Sequence, residues 1–261
     1  MFPNKVLGQN FLENEAIVDK MLKSAELSLQ DIVLEVGPGQ GAITSKLYPK
    51  VKQVIAVEKD GELVKYLENK FKNAKNLKIL EGDILKSQYS IFNIQSYKIV
   101  SNLPFYLTSR FLRVFLELQN KPSLMVLIIQ KEVAERICDQ PPQASLLSNS
   151  VQFYGKPEII DIVPKENFNP IPEVDAAIIK INVFKEPKIK VDNVDEFFKI
   201  LKIGFSQKRK QLHNNFSSGL HISKEEAKKL LQNCGINPER RAQTLSLEEW
   251  EKLYKLLVTS D

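Results

Sequence analysis

The tetrapeptide Asn102-Leu103-Pro104-Phe105 has the residue types of a pocket for a planar amine. The Asn side-chain oxygen can accept one amine hydrogen, and a backbone carbonyl held by the proline can accept the other. The aromatic ring can then stack on the heterocycle. Such a pocket could present the exocyclic nitrogen of an adenine to an electrophile. Taken alone, these residues equally suit a plain turn that ends a strand.

A glycine-rich loop, residues 37–41 (Gly-Pro-Gly-Gln-Gly), directly follows an apolar, strand-like run. Gly37 and Gly39 allow a sharp turn and a close approach of a ligand to the main chain. Glu58, 21 positions beyond Gly37, can accept hydrogen bonds from both hydroxyls of a ribose. The next strand leads to Asp83, which can accept from the amine of an adenine. With Asn102, these strand ends predict an adenosyl cofactor across the edge of the sheet.

The same loop also fits the dinucleotide fingerprint G-x-G-x-x-G/A, and Glu58 has the spacing that NAD would use. A nicotinamide site requires neither Asp83 nor the turn at residues 102–105. Hydride transfer is therefore the weaker alternative.

Strand-like and helix-like segments alternate over residues 31–184, which predicts a mostly parallel sheet with helices on both faces. The predicted strands are 31–36, 53–57, 77–80, 97–100, 124–129, 158–163 and 176–183. The last two are joined by a proline-rich connection too short for a helical crossover, so they should pair as an antiparallel hairpin at one edge. Ligands in such sheets bind beyond the carboxyl ends of the strands.

The pattern changes near residue 186, which predicts domains at 1–186 and 187–261. Residues 194–203, 223–234 and 246–257 are predicted helices, so the second domain is small and all-α. Residues 185–261 hold 15 Lys/Arg and 11 Asp/Glu, a net charge of +4 out of +5 for the chain. A basic end of this kind suits a phosphate backbone, although a lysine-rich helical surface is commonly just solvated.

Composition excludes several classes of protein. Hydrophobic residues make up 43% and charged residues 26% of the 261, typical of a soluble globular protein. No apolar run is long enough for a membrane span and the start lacks a signal-peptide core, so we expect a cytoplasmic location. Cys138 and Cys234 have no CxxC spacing, and His213 and His221 have no ligand-like neighbours, so we expect no metal.

The motifs together resemble the small-subunit (16S) rRNA adenine N6-dimethyltransferase family, the KsgA or RsmA type, nearly from end to end. Besides the glycine loop and the turn at residues 102–105, they are Gly8-Gln9-Asn10-Phe11-Leu12, Gln130-Lys131-Glu132-Val133-Ala134, the F-x-P-x-P-x-V-D-A stretch at 168–176 and the basic element Phe205-Ser206-Gln207-Lys208-Arg209-Lys210.

The resemblance implies a Rossmann-like class I methyltransferase sheet that uses S-adenosylmethionine and acts on two adjacent adenosines of small-subunit rRNA. The substrate would be the 3′-terminal hairpin within an assembling subunit, and the protein a monomer. Cofactor contacts are implied for Asn10, Leu12, Gly37, Gly39, Glu58, Asp83 and Asn102. Catalytic roles are implied for Asn102, Leu103, Pro104 and Phe105, and RNA contacts for Phe168, Lys208, Arg209 and Lys210.

The chain departs from the family pattern at Phe105, where Tyr is usual, and at Tyr106, where Asn is usual. Stacking needs the face of the ring and not the hydroxyl, so we expect activity to survive. Two alternatives stay open: a relative of the Erm resistance type that acts on large-subunit rRNA, and an assembly factor that keeps the fold without chemistry.

Overall fold

A computed structural model of the protein describes residues 9–86, 94 and 96–258, which fall into two compact units. The first unit comprises the chain up to Glu135 together with Lys156–Lys185. The second comprises Arg136–Gly155 together with the chain from Glu186 onward.

The strands, in chain order, are β1 (Phe11–Leu12), β2 (Ile32–Val36), β3 (Gln53–Glu58), β4 (Leu77–Glu81), β5 (Lys98–Asn102), β6 (Leu124–Gln130), β7 (Gly155–Val163), β8 (Phe168–Asn169) and β9 (Ala176–Val183). The helices are α1 (Glu15–Ser24), α2 (Ala42–Leu47), α3 (Gly61–Lys70), α4 (Thr108–Glu117), α5 (Lys131–Cys138), α6 (Leu146–Tyr154), α7 (Val194–Gly204), α8 (Leu212–Leu220), α9 (Lys224–Asn233) and α10 (Leu247–Val258).

Seven strands form one mixed sheet in the order β4-β3-β2-β5-β6-β9-β7. Neighbours from β4 to β6 run parallel, whereas β9 runs antiparallel to β6, and β7 lies at the edge. The predicted Rossmann-like sheet, with its last two strands paired at one edge, is confirmed. The chain runs from β2 to β3 and β4 on one side and returns to β5 on the other. The carboxyl ends of β2 and β5 therefore flank the switch point at which such sheets bind ligands.

The central strands carry nearly continuous apolar runs because both of their faces are covered. Six of the seven residues of β6 are buried, as are four of the five of β2. The same core contains one side of α1, whose first turn is capped by Asn14 through a 2.9 Å bond from the Ala16 N–H to Asn14 Oδ1. A rigid core of this kind fixes the positions of the residues at the strand ends.

A separate two-stranded antiparallel sheet pairs β1 with β8, with Phe11 opposite Asn169 and Leu12 opposite Phe168. This pairing was not predicted, because strands of two residues are too short for a periodic pattern to show. The pairing joins two motifs that lie far apart in the sequence. Gly8, the first residue of the N-terminal motif, lies outside the described residues.

The C-terminal part of the second unit is helical, as predicted, and two of its helices begin with capping boxes. The Glu226 N–H donates to Ser223 Oγ at 3.2 Å while Glu226 Oε2 accepts from the Ser223 N–H at 2.8 Å. Ser246 and Glu249 make the same reciprocal pair before α10. These caps satisfy N–H groups that a helix start leaves unpaired, and so they set where α9 and α10 begin.

Helix α8 was not predicted, because its sequence, Leu-His-Asn-Asn-Phe-Ser-Ser-Gly-Leu, is poor in strong helix formers. Packing stabilises it instead. Leu212 and Phe216 are fully buried, and the buried Asn215 donates from Nδ2 to the Gly204 carbonyl at 2.5 Å. Tertiary contacts thus override a weak local preference.

Candidate active site

A cavity of about 310 Å³ lies beyond the carboxyl ends of β2, β3 and β5. The structure brings most of the predicted site residues together in its wall: Asn10, Leu12, Gly37, Gly39, Glu58, Asp83, Asn102, Leu103, Pro104 and Phe105. Residues distant in sequence thus meet at the switch point of the sheet. A pocket of this size, mainly apolar and with a few convergent polar groups, is typical of a small-molecule site.

Glu58 is held firmly at the end of β3, with 6% of its surface exposed. Its Oε1 accepts from the Lys59 and Asp60 N–H groups at 2.8 and 3.0 Å. Its Oε2 accepts from the Gly39 N–H at 3.2 Å. Burial raises the pKa of Glu58, and these N–H groups oppose the rise. Because a carboxylate oxygen has two lone pairs, Oε2 retains one acceptor site in this conformation, which suits a single ribose hydroxyl.

Asp83 remains a strong acceptor after β4. Its Oδ1 accepts from the Leu85 N–H at 3.0 Å, and its Oδ2 lies 3.3 Å from Lys59 Nζ. Burial alone would raise the pKa of Asp83, but the Leu85 N–H and the Lys59 ammonium outweigh it, so the pKa lies below its usual value. The carboxylate is therefore charged at neutral pH and can accept from an amine.

The side-chain amide of Asn102 is oriented by the backbone of the N-terminal segment. Asn102 Nδ2 donates to the Asn10 carbonyl at 3.1 Å. Because Nδ2 is engaged in this bond, Oδ1 remains as the acceptor of the amide, and within the described part of the chain it accepts no hydrogen bond. The adjacent Ser101 Oγ donates to the Val36 carbonyl at 2.5 Å and ties β5 to β2. Asn102 thus lines the cavity as a fixed acceptor.

The next three residues shape the wall beside Asn102. The Leu103 N–H donates to the Ile128 carbonyl at 3.1 Å, which extends the pairing of β5 with β6. The Pro104 carbonyl accepts from the Leu107 N–H at 2.9 Å and opens a 3₁₀ turn at Phe105–Leu107. Phe105 packs against the core of the first unit and also lines the cavity. Its ring is therefore supported by the core beside the acceptors.

Phe168 is not brought to the cavity wall. Only 2% of its surface is exposed, and it packs in the same core as Leu12, its partner in the β1–β8 pair. In this conformation Phe168 holds the N-terminal segment in place, and a contact with RNA would require it to be uncovered.

The basic element lies in the second unit. Lys208, Arg209 and Lys210 are all exposed, in the segment between α7 and α8. The Lys210 N–H donates to the Gln207 carbonyl at 3.0 Å, so the segment forms a turn that presents consecutive cations to solvent.

The cavity wall also contains residues to which the sequence assigned no site role, among them Lys59 and Tyr106. Each directly follows a predicted site residue, which is the signal that could have found it. Lys59 pairs with Asp83, and Tyr106 keeps 59% of its surface exposed.

Gly39 has little room for a side chain. Its φ is +58°, and a Cβ built there would lie 2.9 Å from Cδ1 of Phe11, a cavity residue. Gly235 has a similar φ of +70°, with nothing within 4 Å of such a Cβ. Replacement of Gly235 by Ala therefore measures the cost of the positive φ alone, whereas the same replacement at Gly39 adds a steric overlap with Phe11.

By the resemblance to the dimethyltransferase family, the ligand of this cavity would be S-adenosylmethionine. We expect Gly39→Ala to weaken its binding by about 10- to 100-fold, because Phe11 must shift within the wall. We expect Gly235→Ala to lose about 1–2 kcal/mol of unfolding free energy from the positive φ alone, with unchanged ligand affinity. Titration calorimetry and denaturant unfolding of both variants measure these effects. Equal ligand affinity in the two variants would show that the overlap with Phe11 is harmless.

In the described residues, no group of three or more His, Cys, Asp and Glu side chains is placed to hold a metal ion. Over the same residues, none of the helices combines the length and the apolar character that crossing a membrane requires.

Comparison with known proteins gives a family and a fold. The family model described as ribosomal RNA adenine dimethylase matches residues 3–258. Ribosomal RNA small subunit methyltransferase A of Dehalococcoides mccartyi is 45% identical over 251 residues, covering 95% of this chain and 86% of the relative.

Solved structures agree with the fold. The structure of a dimethyladenosine transferase from Plasmodium falciparum superposes with a TM-score of 0.79 at 27% identity, covering 93% of this chain and 95% of the other. The 23S rRNA methyltransferase ErmE superposes with a TM-score of 0.77, covering 95% of this chain and 100% of that one. At 22% identity, the second similarity shows a shared fold alone.

Proposed function

The chain belongs to the ribosomal RNA adenine dimethylase family, and from that premise we propose that it dimethylates the N6 amines of two adjacent adenosines in the 3′-terminal hairpin of small-subunit rRNA. It is an rRNA methyltransferase that depends on S-adenosylmethionine. The observation that carries the proposal is the Asn102 amide, which the Asn10 carbonyl holds with its oxygen as the free acceptor. An acceptor so placed suits an amine as the reacting group.

The residues of the cavity fit the cofactor. Glu58 offers an acceptor for a ribose hydroxyl, Asp83 one for the adenine amine, and the glycine loop allows close approach of the main chain. When bound, S-adenosylmethionine supplies a methyl group on a positively charged sulfur. By this proposal Asn10, Leu12, Gly37, Gly39, Glu58, Asp83 and Asn102 form its site.

The protein must raise the reactivity of the target amine, whose lone pair is delocalised into the adenine ring. Hydrogen bonds from the amine to Asn102 Oδ1 and the Leu103 carbonyl favour a more tetrahedral nitrogen with a localised lone pair. Pro104 fixes the direction of that carbonyl, and Phe105 holds the unstacked base by its face. The amine becomes acidic only after it is methylated, so no base has to act beforehand. Two transfers to one nitrogen require a wall that tolerates the first methyl group.

Recognition of the RNA is assigned by this proposal to residues 187–261, with residues 1–186 performing the chemistry. Lys208, Arg209 and Lys210 present exposed positive charge that suits phosphate groups. Lys208 supplies positive charge without the bidentate hydrogen-bonding geometry that an Arg offers to phosphate. The proposed partner is small-subunit rRNA in an assembling subunit, met by a monomer in the cytoplasm.

Replacement of Phe105 tests the stacking role. We expect Phe105→Ala to lose about 1–3 kcal/mol of RNA binding and Phe105→Tyr to behave nearly as wild type, because stacking uses the ring face. The measurement is kcat/KM toward unmodified small subunits, with unfolding curves as the control, since Phe105 also packs on the core. A large loss in Phe105→Tyr would refute this role.

The direct test of function is transfer of labelled methyl groups from S-adenosylmethionine to purified, unmodified small subunits, with large subunits in parallel and digestion to nucleosides. We expect dimethyladenosine from small subunits alone. Label in large subunits would instead indicate a methyltransferase of the Erm resistance type. Cofactor binding without methyl transfer to either subunit would indicate a non-catalytic assembly factor.

A further inference from the structure

Tyr106 stands out among the exposed side chains. The large hydrophobic residues exposed in the described part of the chain are Leu29, Tyr66, Tyr106, Ile162, Ile171, Val174 and Val258. Of these, Tyr106 alone also lines the cavity, with 59% of its surface exposed. A side chain that lines the cavity and remains open to solvent lies at the cavity opening.

Tyr106 and Phe105 face different surroundings although they are consecutive. Both belong to the 3₁₀ turn at Phe105–Leu107, and neighbours in such a turn point about 120° apart because it has three residues per turn. Phe105 packs on the core, whereas Tyr106 does not belong to that core. The turn therefore presents one anchored ring inside the cavity and one free-standing ring at its opening.

Packing within the protein does not account for Tyr106. In the described part of the chain its hydroxyl makes no hydrogen bond and its ring stacks on no other aromatic ring. Aromatic faces left open beside a nucleic-acid site are suited to stacking on unpaired bases of any type.

We propose that Tyr106 forms a second nucleobase subsite, which stacks on the base next to the target adenine in the same RNA strand. This inference rests on the proposed function. A base that enters the cavity must leave its stack, and its neighbour then loses one stacking partner. Tyr106, directly after the residue that would hold the target, replaces that partner.

The first test is kinetic and uses the full chain with unmodified small subunits. We expect Tyr106→Ala to raise KM for the subunits about 5- to 150-fold, the equivalent of one lost base–aromatic stack. We expect kcat at saturating subunits and the Kd of S-adenosylmethionine to stay within about twofold of wild type, because stacking on a neighbour affects neither. Tyr106→Phe should match wild type. Leu29→Ala, which removes an exposed side chain outside the cavity wall, is the control.

The second test identifies what Tyr106 contacts. Small subunits are assembled from rRNA in which the nucleotide on one side of a target adenosine, and in a second substrate the nucleotide on its other side, is abasic, and methylation of that adenosine is measured. We expect one abasic substrate to raise KM for wild type as much as Tyr106→Ala does, with no further rise when the two changes are combined. If the effects multiply on both substrates, Tyr106 contacts something else, such as a ribosomal protein, and the inference fails.

Failure of the proposed function and failure of the Tyr106 subsite give different results. Absence of methyl transfer by wild type would overturn the proposed function and this inference with it. Normal transfer by wild type with an unchanged KM in Tyr106→Ala would overturn the inference alone.

Discussion

Asn102→Ala is expected to lower kcat for methyl transfer by about 100- to 1000-fold, the usual cost of removing one positioned polar group from a reacting centre. The loss falls on kcat because Asn102 Oδ1 acts on the lone pair of the amine as it becomes a nucleophile. Affinity for S-adenosylmethionine should fall much less, since Glu58, Asp83 and the glycine loop remain in the wall. Single-turnover methyl transfer and calorimetric titration measure the two quantities.

Two further variants make this result specific. Asn102→Asp keeps an acceptor but replaces the donor to the Asn10 carbonyl with an oxygen, so it should also be severely impaired. Asn69→Ala removes an exposed Asn on α3, whose Nδ2 donates to the Lys65 carbonyl, and should leave transfer unchanged. A kcat close to wild type in Asn102→Ala would show that Asn102 takes no part in the chemical step.

The strand ends of the site could be predicted because two local signals coincide there. Runs such as β2 and β6 are apolar enough to be recognised as buried strands, and parallel strands bring their carboxyl ends to one edge. Glu58, Asp83 and Asn102 each follow such a run, so their convergence follows from the order of the elements. The glycine loop adds a backbone signal that is independent of side chains.

The N-terminal segment could not be placed from local pattern. Its position depends on the pairing of β1 with β8 and on the bond from Asn102 to the Asn10 carbonyl, both between residues distant in sequence. The burial of Phe168 could not be foreseen for the same reason. A short aromatic motif carries no periodicity from which its burial can be judged.

The number of free acceptor sites on Glu58 could not be predicted from the sequence either, because it depends on how the loops around Glu58 fold. The spacing from Gly37 to Glu58 suggests a carboxylate that accepts from both ribose hydroxyls, yet three backbone N–H groups already occupy most of its lone pairs. Hydrogen bonds within a loop depend on how that loop folds, which spacing alone does not encode.

A second large effect is expected from Glu35, a carboxyl inside the first unit just before the glycine loop. Only 1% of its surface is exposed; Oε2 accepts from Thr44 Oγ1 at 2.7 Å, and Oε1 has no hydrogen-bond partner among the described residues. Burial raises the pKa of Glu35 from 4.5 to about 8, against the opposing bonds from Thr44. The folded protein therefore binds this proton more tightly than the unfolded chain does.

The sign of the pH dependence follows from that difference. The contribution of Glu35 to stability is complete below pH 4.5 and is lost as pH rises through about 8, where the buried carboxyl must ionise. At about 1.4 kcal/mol per pKa unit, the loss amounts to a few kcal/mol of unfolding free energy.

We expect Glu35→Gln, which is uncharged at every pH, to flatten the decline in unfolding free energy measured by denaturant unfolding between pH 5 and pH 9. Glu68→Gln, which neutralises an exposed carboxyl on α3, should leave the decline as it is in wild type. If Glu35→Gln follows the same curve as wild type, the proton is held elsewhere, and the buried Glu58, whose pKa is also raised, becomes the group to examine.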